Sequence, residues 1–128
     1  MAGFSDYLEN ALLDHAFAVS AYTPAGTVYA ALYTAAPTDA GGGTECSGTG
    51  YARQAISFAA ASTGTVVNDA IVNFGTAGSA WGTVSNFGVF DAASAGNLLA
   101  WEALTASKTI GEDDPVSFPV GQLSIALD

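Results

Sequence analysis

Between residues 4 and 17 the apolar positions fall at helical spacing. Leu8, Ala11, Leu12 and His15 form one stripe, which Leu13 and Phe17 widen. Ser5 stands where an N-cap belongs, and Asp6 and Glu9 occupy the first turn, where the helix dipole favours negative charge. The spacing predicts one helix over 4–17, with its stripe laid across a sheet or against a neighbouring subunit. Beyond the turn Tyr22-Thr-Pro-Ala-Gly26 the period becomes two. The stretch 27–34 is apolar on both faces, which predicts a central strand. Further strands are expected at 51–59, 66–74, 83–91, 97–106 and 115–127, the last broken near Pro119-Val-Gly121. Within 83–91, Val84, Asn86, Gly88 and Phe90 alternate with Ser85, Phe87 and Val89, so one face is expected to be packed and the other polar. Residues 36–50, rich in Gly and Thr, read as a long surface loop without regular structure.

These elements predict a single domain over 1–128 that is mainly β: an antiparallel β-sandwich or jelly-roll-like fold of about seven strands with one N-terminal α-helix. No internal repeat is present.

Half of the 128 residues are hydrophobic while 11% are charged, against about 25% charged in an ordinary domain. Such a chain folds rather than staying disordered, and it hides much of its surface. The apolar side chains are small, with 26 alanines and 15 glycines. They bury less area per residue and let backbones approach closely, so packing between copies is expected to supply the remainder, and a homo-oligomer is the expected partner state. No apolar run approaches the roughly 18–20 residues of a membrane helix, and no membrane insertion is expected. The N-terminus carries acidic residues in place of a basic start and apolar core, so no secretory signal is expected and synthesis is placed in a cytoplasm. Two cations, Arg53 and Lys108, face twelve acids, for a net charge of −10. That balance offers no basic patch for phosphates and argues against nucleic acid as a partner.

Searches for catalytic patterns return nothing: no nucleophile elbow, phosphate loop, zinc-protease pair or dinucleotide fingerprint. His15 is the only histidine and reads as a helix-terminal side chain bonding a carbonyl. Gly111-Glu-Asp-Asp-Pro115 gathers three acids, but not at an EF-hand spacing, and reads as a solvated turn that discourages edge pairing of strands. Asp39, Glu45, Asp91 and Glu102 have nothing to fix the separation that a glycosidase needs. Cys46 is the sole cysteine, without a histidine nearby to activate it. No metal, cofactor or catalytic residue is expected. Trp81, Trp101, Tyr22, Tyr29, Tyr33 and Tyr51 read first as core aromatics. With so few cations each is expected to be paired, Arg53 holding a carboxylate by a bidentate bond and lying at a subunit contact.

Ser5-Asp-Tyr-Leu-Glu-Asn-Ala-Leu-Leu-Asp-His15, Leu32-Tyr-Thr-Ala-Ala-Pro-Thr-Asp-Ala-Gly-Gly-Gly-Thr-Glu45, Gly50-Tyr-Ala-Arg-Gln54, Trp81-Gly-Thr-Val-Ser-Asn-Phe-Gly-Val-Phe-Asp91 and Gly96-Asn-Leu-Leu-Ala-Trp101 resemble, in order and over nearly the whole chain, a family of small tailed-bacteriophage virion proteins usually labelled "phage tail fibre protein". The resemblance implies a non-enzymatic virion structural protein on the particle's outer surface. It carries over no catalytic residue, and Cys46 stands where an apolar residue such as Val is expected.

A fibre spans from anchor to receptor, whereas a folded chain of this length is only a few nanometres across by the usual size scaling. The expected role is therefore capsid decoration, a cement protein, expected as a homotrimer at quasi-threefold points, contacting the major capsid protein through the N-terminal helix and the 36–50 loop. Leu8, Leu12, Phe17, Asp39, Glu45 and Arg53 are the candidate interface residues. The alternative is a tail or tail-fibre-associated adhesion module, partnered by tail proteins and binding a host surface glycan, with Tyr51, Trp81 and Trp101 as the candidate aromatic patch.

Overall fold

The computed structural model describes residues 3–127. The elements run β1 (Gly3–Phe4), α1 (Asp6–Ala16), β2 (Val28–Ala35), β3 (Thr44–Glu45), β4 (Gln54–Ile56), β5 (Thr65–Val67), β6 (Val72–Thr76), β7 (Gly82–Phe90), β8 (Leu98–Ile110), β9 (Pro115–Phe118) and β10 (Ser124–Ala126). The helix starts where its cap dictates. Ser5 is extended (φ −75°, ψ 159°) and its Oγ accepts the Leu8 amide at 3.2 Å. The helix begins two residues later than expected because Gly3 and Phe4 are taken up by pairing with Trp101 and Ala100 of β8.

The larger sheet has the order β1-β8-β7-β2-β3, with β4 also on β2, and every pairing is antiparallel. β2 is central, as its two apolar faces require. Two ribbons, β5–β10 and β6–β9, complete the β structure. The main core joins Leu32, Val84 and Phe87 of the sheet to Val72, Phe74, Val116, Phe118, Leu123 and Ile125 of the ribbons and their connections. The result is a sandwich-like packing of one face of the sheet against the ribbons. Each large side chain so buried contributes about 1.5–3 kcal/mol.

Several expectations need correction. The described residues hold ten strands, from two to thirteen residues long, instead of about seven. The 66–74 run is cut into β5 and β6 by Asn68, which is fully buried and uses its amide to tie connections together. The 51–59 run forms only β4 and an isolated bridge from Phe58 to Asn68. The 36–50 segment is not wholly irregular, because Tyr33 pairs with Glu45 through β3 and both Pro37 and Cys46 are buried.

The simple alternation along β7 fails at a bulge between Val84 and Asn86, so that Val84 and then Phe87 both point into the main core. Nor is the second face of the sheet polar. Ala31, Tyr33, Phe90, Leu98 and Trp101 form a smaller buried cluster there. Gly88 lies in register with both Ala31 and Trp101, and these small residues make room for the rings. A Cβ on Gly88 would sit 2.9 Å from Tyr33 Cε1 and 3.0 Å from Leu98 Cδ1.

The helical stripe is narrower than the spacing suggests. Leu8 is buried and Leu12 packs partly against the core, while Leu13 and Phe17 are exposed. No helix among the described residues is long and apolar enough to cross a membrane.

Candidate functional site

The second face of the sheet is covered by two loops, and Arg53 fastens both. Its Nε donates to Glu45 Oε2 and its Nη2 to Glu45 Oε1, each at 2.9 Å, and its Nη1 donates to the carbonyls of Ala92 (3.1 Å) and Ala95 (2.8 Å). The guanidinium lies flat over Phe90, with Cζ 3.6 Å from the ring centroid. Glu45 Oε2 also accepts the Tyr51 hydroxyl at 2.7 Å, and that hydroxyl in turn accepts the Leu32 amide at 3.0 Å. One cation thus joins the end of the 36–50 loop to the 91–97 loop across an aromatic ring.

Charge and burial act together here. Burial works to raise the Glu45 carboxyl, but hydrogen bonds from Arg53 and Tyr51 and the charge of Arg53 outweigh it and hold the group below its usual value. The bond to Glu45 pushes the Arg53 guanidinium further up. Burial and the bond to Glu45 push the Tyr51 phenol far up. In the neighbouring loop the Asn97 amide and side chain donate to Asp91 at 2.7 and 2.9 Å and lower its carboxyl.

Each loop turns on a glycine at positive φ, where a side chain would be both strained and crowded. Gly43 has φ +74° and a Cβ there would meet Ala35 O and Pro37 N at 2.7 Å; Gly96 has φ +74° and a Cβ would meet Asp91 Oδ1 at 2.5 Å.

Between the loops and the start of α1 lies a groove of about 620 Å³. Asp39, Glu45 and Arg53, three residues of the expected interface, all line it, with Tyr7, Tyr33, Phe90 and Asn97 beside them. The sequence reading missed the last four as a group, because they come from four separate elements or connections. Their only signal is that the 27–34 strand is apolar on both faces. A strand apolar on both sides requires something over the second side.

The remaining expected interface residues do not join this site. Leu8 is a core residue, buried beneath the helix in place of the exposed stripe expected of it. Leu12 is partly buried, and Phe17, 74% exposed, projects away at the helix end. The expected pairing of Arg53 with a carboxylate is present within the chain, with Glu45. Lys108 makes no ion pair among the described residues; its Nζ sits 5.2 Å from the Phe118 ring.

The exposed aromatic patch expected at Tyr51, Trp81 and Trp101 is not what the fold builds. Trp81 is buried, donates Nε1–H to Thr49 O at 3.0 Å, and meets Tyr51 edge-on. Trp101 is buried on the opposite face of the sheet and donates Nε1–H to Asp39 Oδ1 at 3.0 Å. Each polar tip has an inward partner, which keeps these rings inside.

His15 accepts the Tyr22 amide at Nδ1 (3.1 Å) and does not bond a carbonyl as expected. The acidic residues 112–114 are exposed, and Asp114 closes their turn by accepting the Gly111 amide at 2.7 Å. Among the described residues no three carboxylate, histidine or cysteine side chains gather as a metal ion requires.

Comparison with known proteins now gives this β-domain its class. The family described as "Podophage GP4 fiber I protein gp80" matches residues 3–126. The chain belongs to that family, and so is a bacteriophage virion structural protein of the tail-fibre type. Comparison with curated proteins finds no match. The family favours the tail over the shell, and the capsid-decoration expectation draws no support from it.

Proposed function

We propose that this chain is a non-enzymatic module of a podophage tail fibre, exposed on the outside of the virion, where it takes part in contact with the host surface. The observation that carries the reading is the family match, which spans nearly the whole chain and so concerns the entire fold. The net charge of −10 suits an outward position away from the packaged genome. A fold of this size fits one component of a fibre, assembled with copies of itself or with other tail proteins.

The Arg53 clamp supports adhesion in place of catalysis. Its charges are spent on holding two loops in fixed positions, as a binding surface requires, and none of them is left poised as an acid or base. Immunogold labelling of intact virions with antibody against the folded chain tests the assignment. Gold is expected at the tail, and gold distributed over the capsid shell would refute it.

A further inference from the structure

We propose that the groove over the second face of the sheet is a binding site for a neutral saccharide, with the Tyr33 hydroxyl as the polar group at its floor. This deepens the fibre reading and rests on it for the source of the ligand, a host surface glycan.

Tyr33 is 4% exposed and its ring belongs to the buried cluster on that face. Its hydroxyl nevertheless has no hydrogen-bond partner among the described residues, although every fully enclosed side-chain polar atom among them has one. The hydroxyl is therefore not fully enclosed, and Tyr33 is one of the residues that line the groove. A buried phenol without a protein partner forgoes a hydrogen bond that folding usually supplies. The polar tips of Tyr51, Trp81 and Trp101, by contrast, all have partners within the chain. Burial pushes the Tyr33 phenol up to about 12, so it stays a neutral donor and acceptor at ordinary pH.

The walls select the ligand's chemistry. Arg53, the one cation of the groove, is committed to Glu45 and two loop carbonyls, so it offers little to an anion. Asp39 gives one oxygen to Trp101 and keeps the other for a donor, and the Asn97 side-chain carbonyl is not engaged among the described residues. Acceptors with a neutral hydroxyl and no available cation match a ligand rich in hydroxyl donors. Tyr7, 45% exposed at the rim, supplies an aromatic face for sugar C–H groups. A volume of about 620 Å³ lies within the roughly 300–1,000 Å³ usual for small-molecule sites.

The test titrates the folded chain by NMR with the methyl glycosides of glucose, galactose, mannose, rhamnose and N-acetylglucosamine, with glucuronate and glucosamine as charged controls. At least one neutral glycoside is expected to shift Tyr33, Tyr7 and Asn97 resonances, and to bind more tightly than either control. Tyr33→Phe removes only the unpartnered oxygen. It is expected to leave the melting temperature unchanged and to weaken that binding about three- to tenfold. Tyr7→Ala, at an exposed ring, should weaken it again without unfolding the chain.

Absence of binding by every neutral glycoside, binding that Tyr33→Phe does not change, or tighter binding of glucuronate or glucosamine would each overturn the proposal. Immunogold labelling separates the two levels. Gold on the tail with no sugar bound rejects the groove alone, whereas gold on the shell rejects the fibre reading whatever the sugar result.

Discussion

Arg53 and Glu45 meet through two parallel hydrogen bonds, Nε to Oε2 and Nη2 to Oε1, both 2.9 Å long. The pair is well shielded, with side-chain exposures of 10% and 27%, and it ties β3 and β4 to the loop after β7. The expected consequence is that Arg53→Ala, which strands a half-buried carboxylate and two carbonyls, destabilises the fold by about 2–4 kcal/mol. Arg53→Lys should recover only part of this, since an ammonium cannot reproduce the fork. The companion Arg53→Ala/Glu45→Gln variant should be less destabilised than the sum of the two single changes. Urea unfolding of the parent, the three single variants and the double variant measures all of these, and additive losses would show that the pair is not coupled.

The same pair sets an acid limit. Glu45 is held below its ordinary value of 4.5 in the fold. A depressed carboxylate stabilises the folded state fully above its unfolded pKa and loses that contribution as pH falls through the folded pKa. Asp91, lowered by Asn97, acts in the same direction. Stability is therefore expected to be flat with respect to these groups near neutrality and to fall below about pH 4.5. Glu45→Gln should flatten that fall, as followed by chemical unfolding at a series of acid pH values; a variant as acid-sensitive as the parent would contradict the assignment.

Asn68 is fully buried between ribbons. Its Nδ2 donates to Ala70 O at 2.9 Å and Pro119 O at 3.0 Å, and its Oδ1 accepts the Leu123 amide at 3.0 Å. Asn68→Ala leaves three backbone groups without partners and is expected to cost about 2–4 kcal/mol. Asn68→Asp should be at least as damaging, because it faces a carboxylate with two carbonyls. Thermal melting of both variants is the check, and a shift indistinguishable from zero would show that water replaces the amide.

Cys46 is buried, and burial followed by the charge of Glu45 pushes its thiol up to about 11. Against a thiol's ordinary value of 9.0 this lowers the thiolate fraction about a hundredfold at neutral pH. Iodoacetamide is expected to alkylate Cys46 at least about a hundredfold more slowly in the folded chain than in urea. Comparable rates would mean that the 36–50 segment opens readily.

What could be read from the chain beforehand divides along physical lines. The Ser5 cap, the centrality of β2 and the break at Pro119–Gly121 are local effects and appear in the sequence directly. The phase change in β7 does not, because the bulge after Val84 depends on the longer β8 strand paired with it. The splitting of 66–74 at Asn68 is equally hidden, since the partners of that side chain lie up to 55 residues away. At the site, the choice of Arg53, Glu45 and Asp39 follows from the scarcity of cations and from a glycine-rich loop. Trp81 and Trp101 lie in the core, as their apolar strand settings suggest, and the surface patch of the alternative reading fails because Thr49 and Asp39 supply acceptors for their ring N–H groups inside the fold. Tyr33 carried no signal of its own, because a buried tyrosine with an unpartnered hydroxyl is recognisable only once its neighbours are placed.

The central claim, that this fold belongs to the tail fibre and not to the shell, is tested most directly by the number of copies per virion, counted by quantitative mass spectrometry against the major capsid protein. The account predicts a number on the order of tens, set by the symmetry of the tail assembly. Hundreds of copies in a simple ratio to the capsid subunit would contradict it.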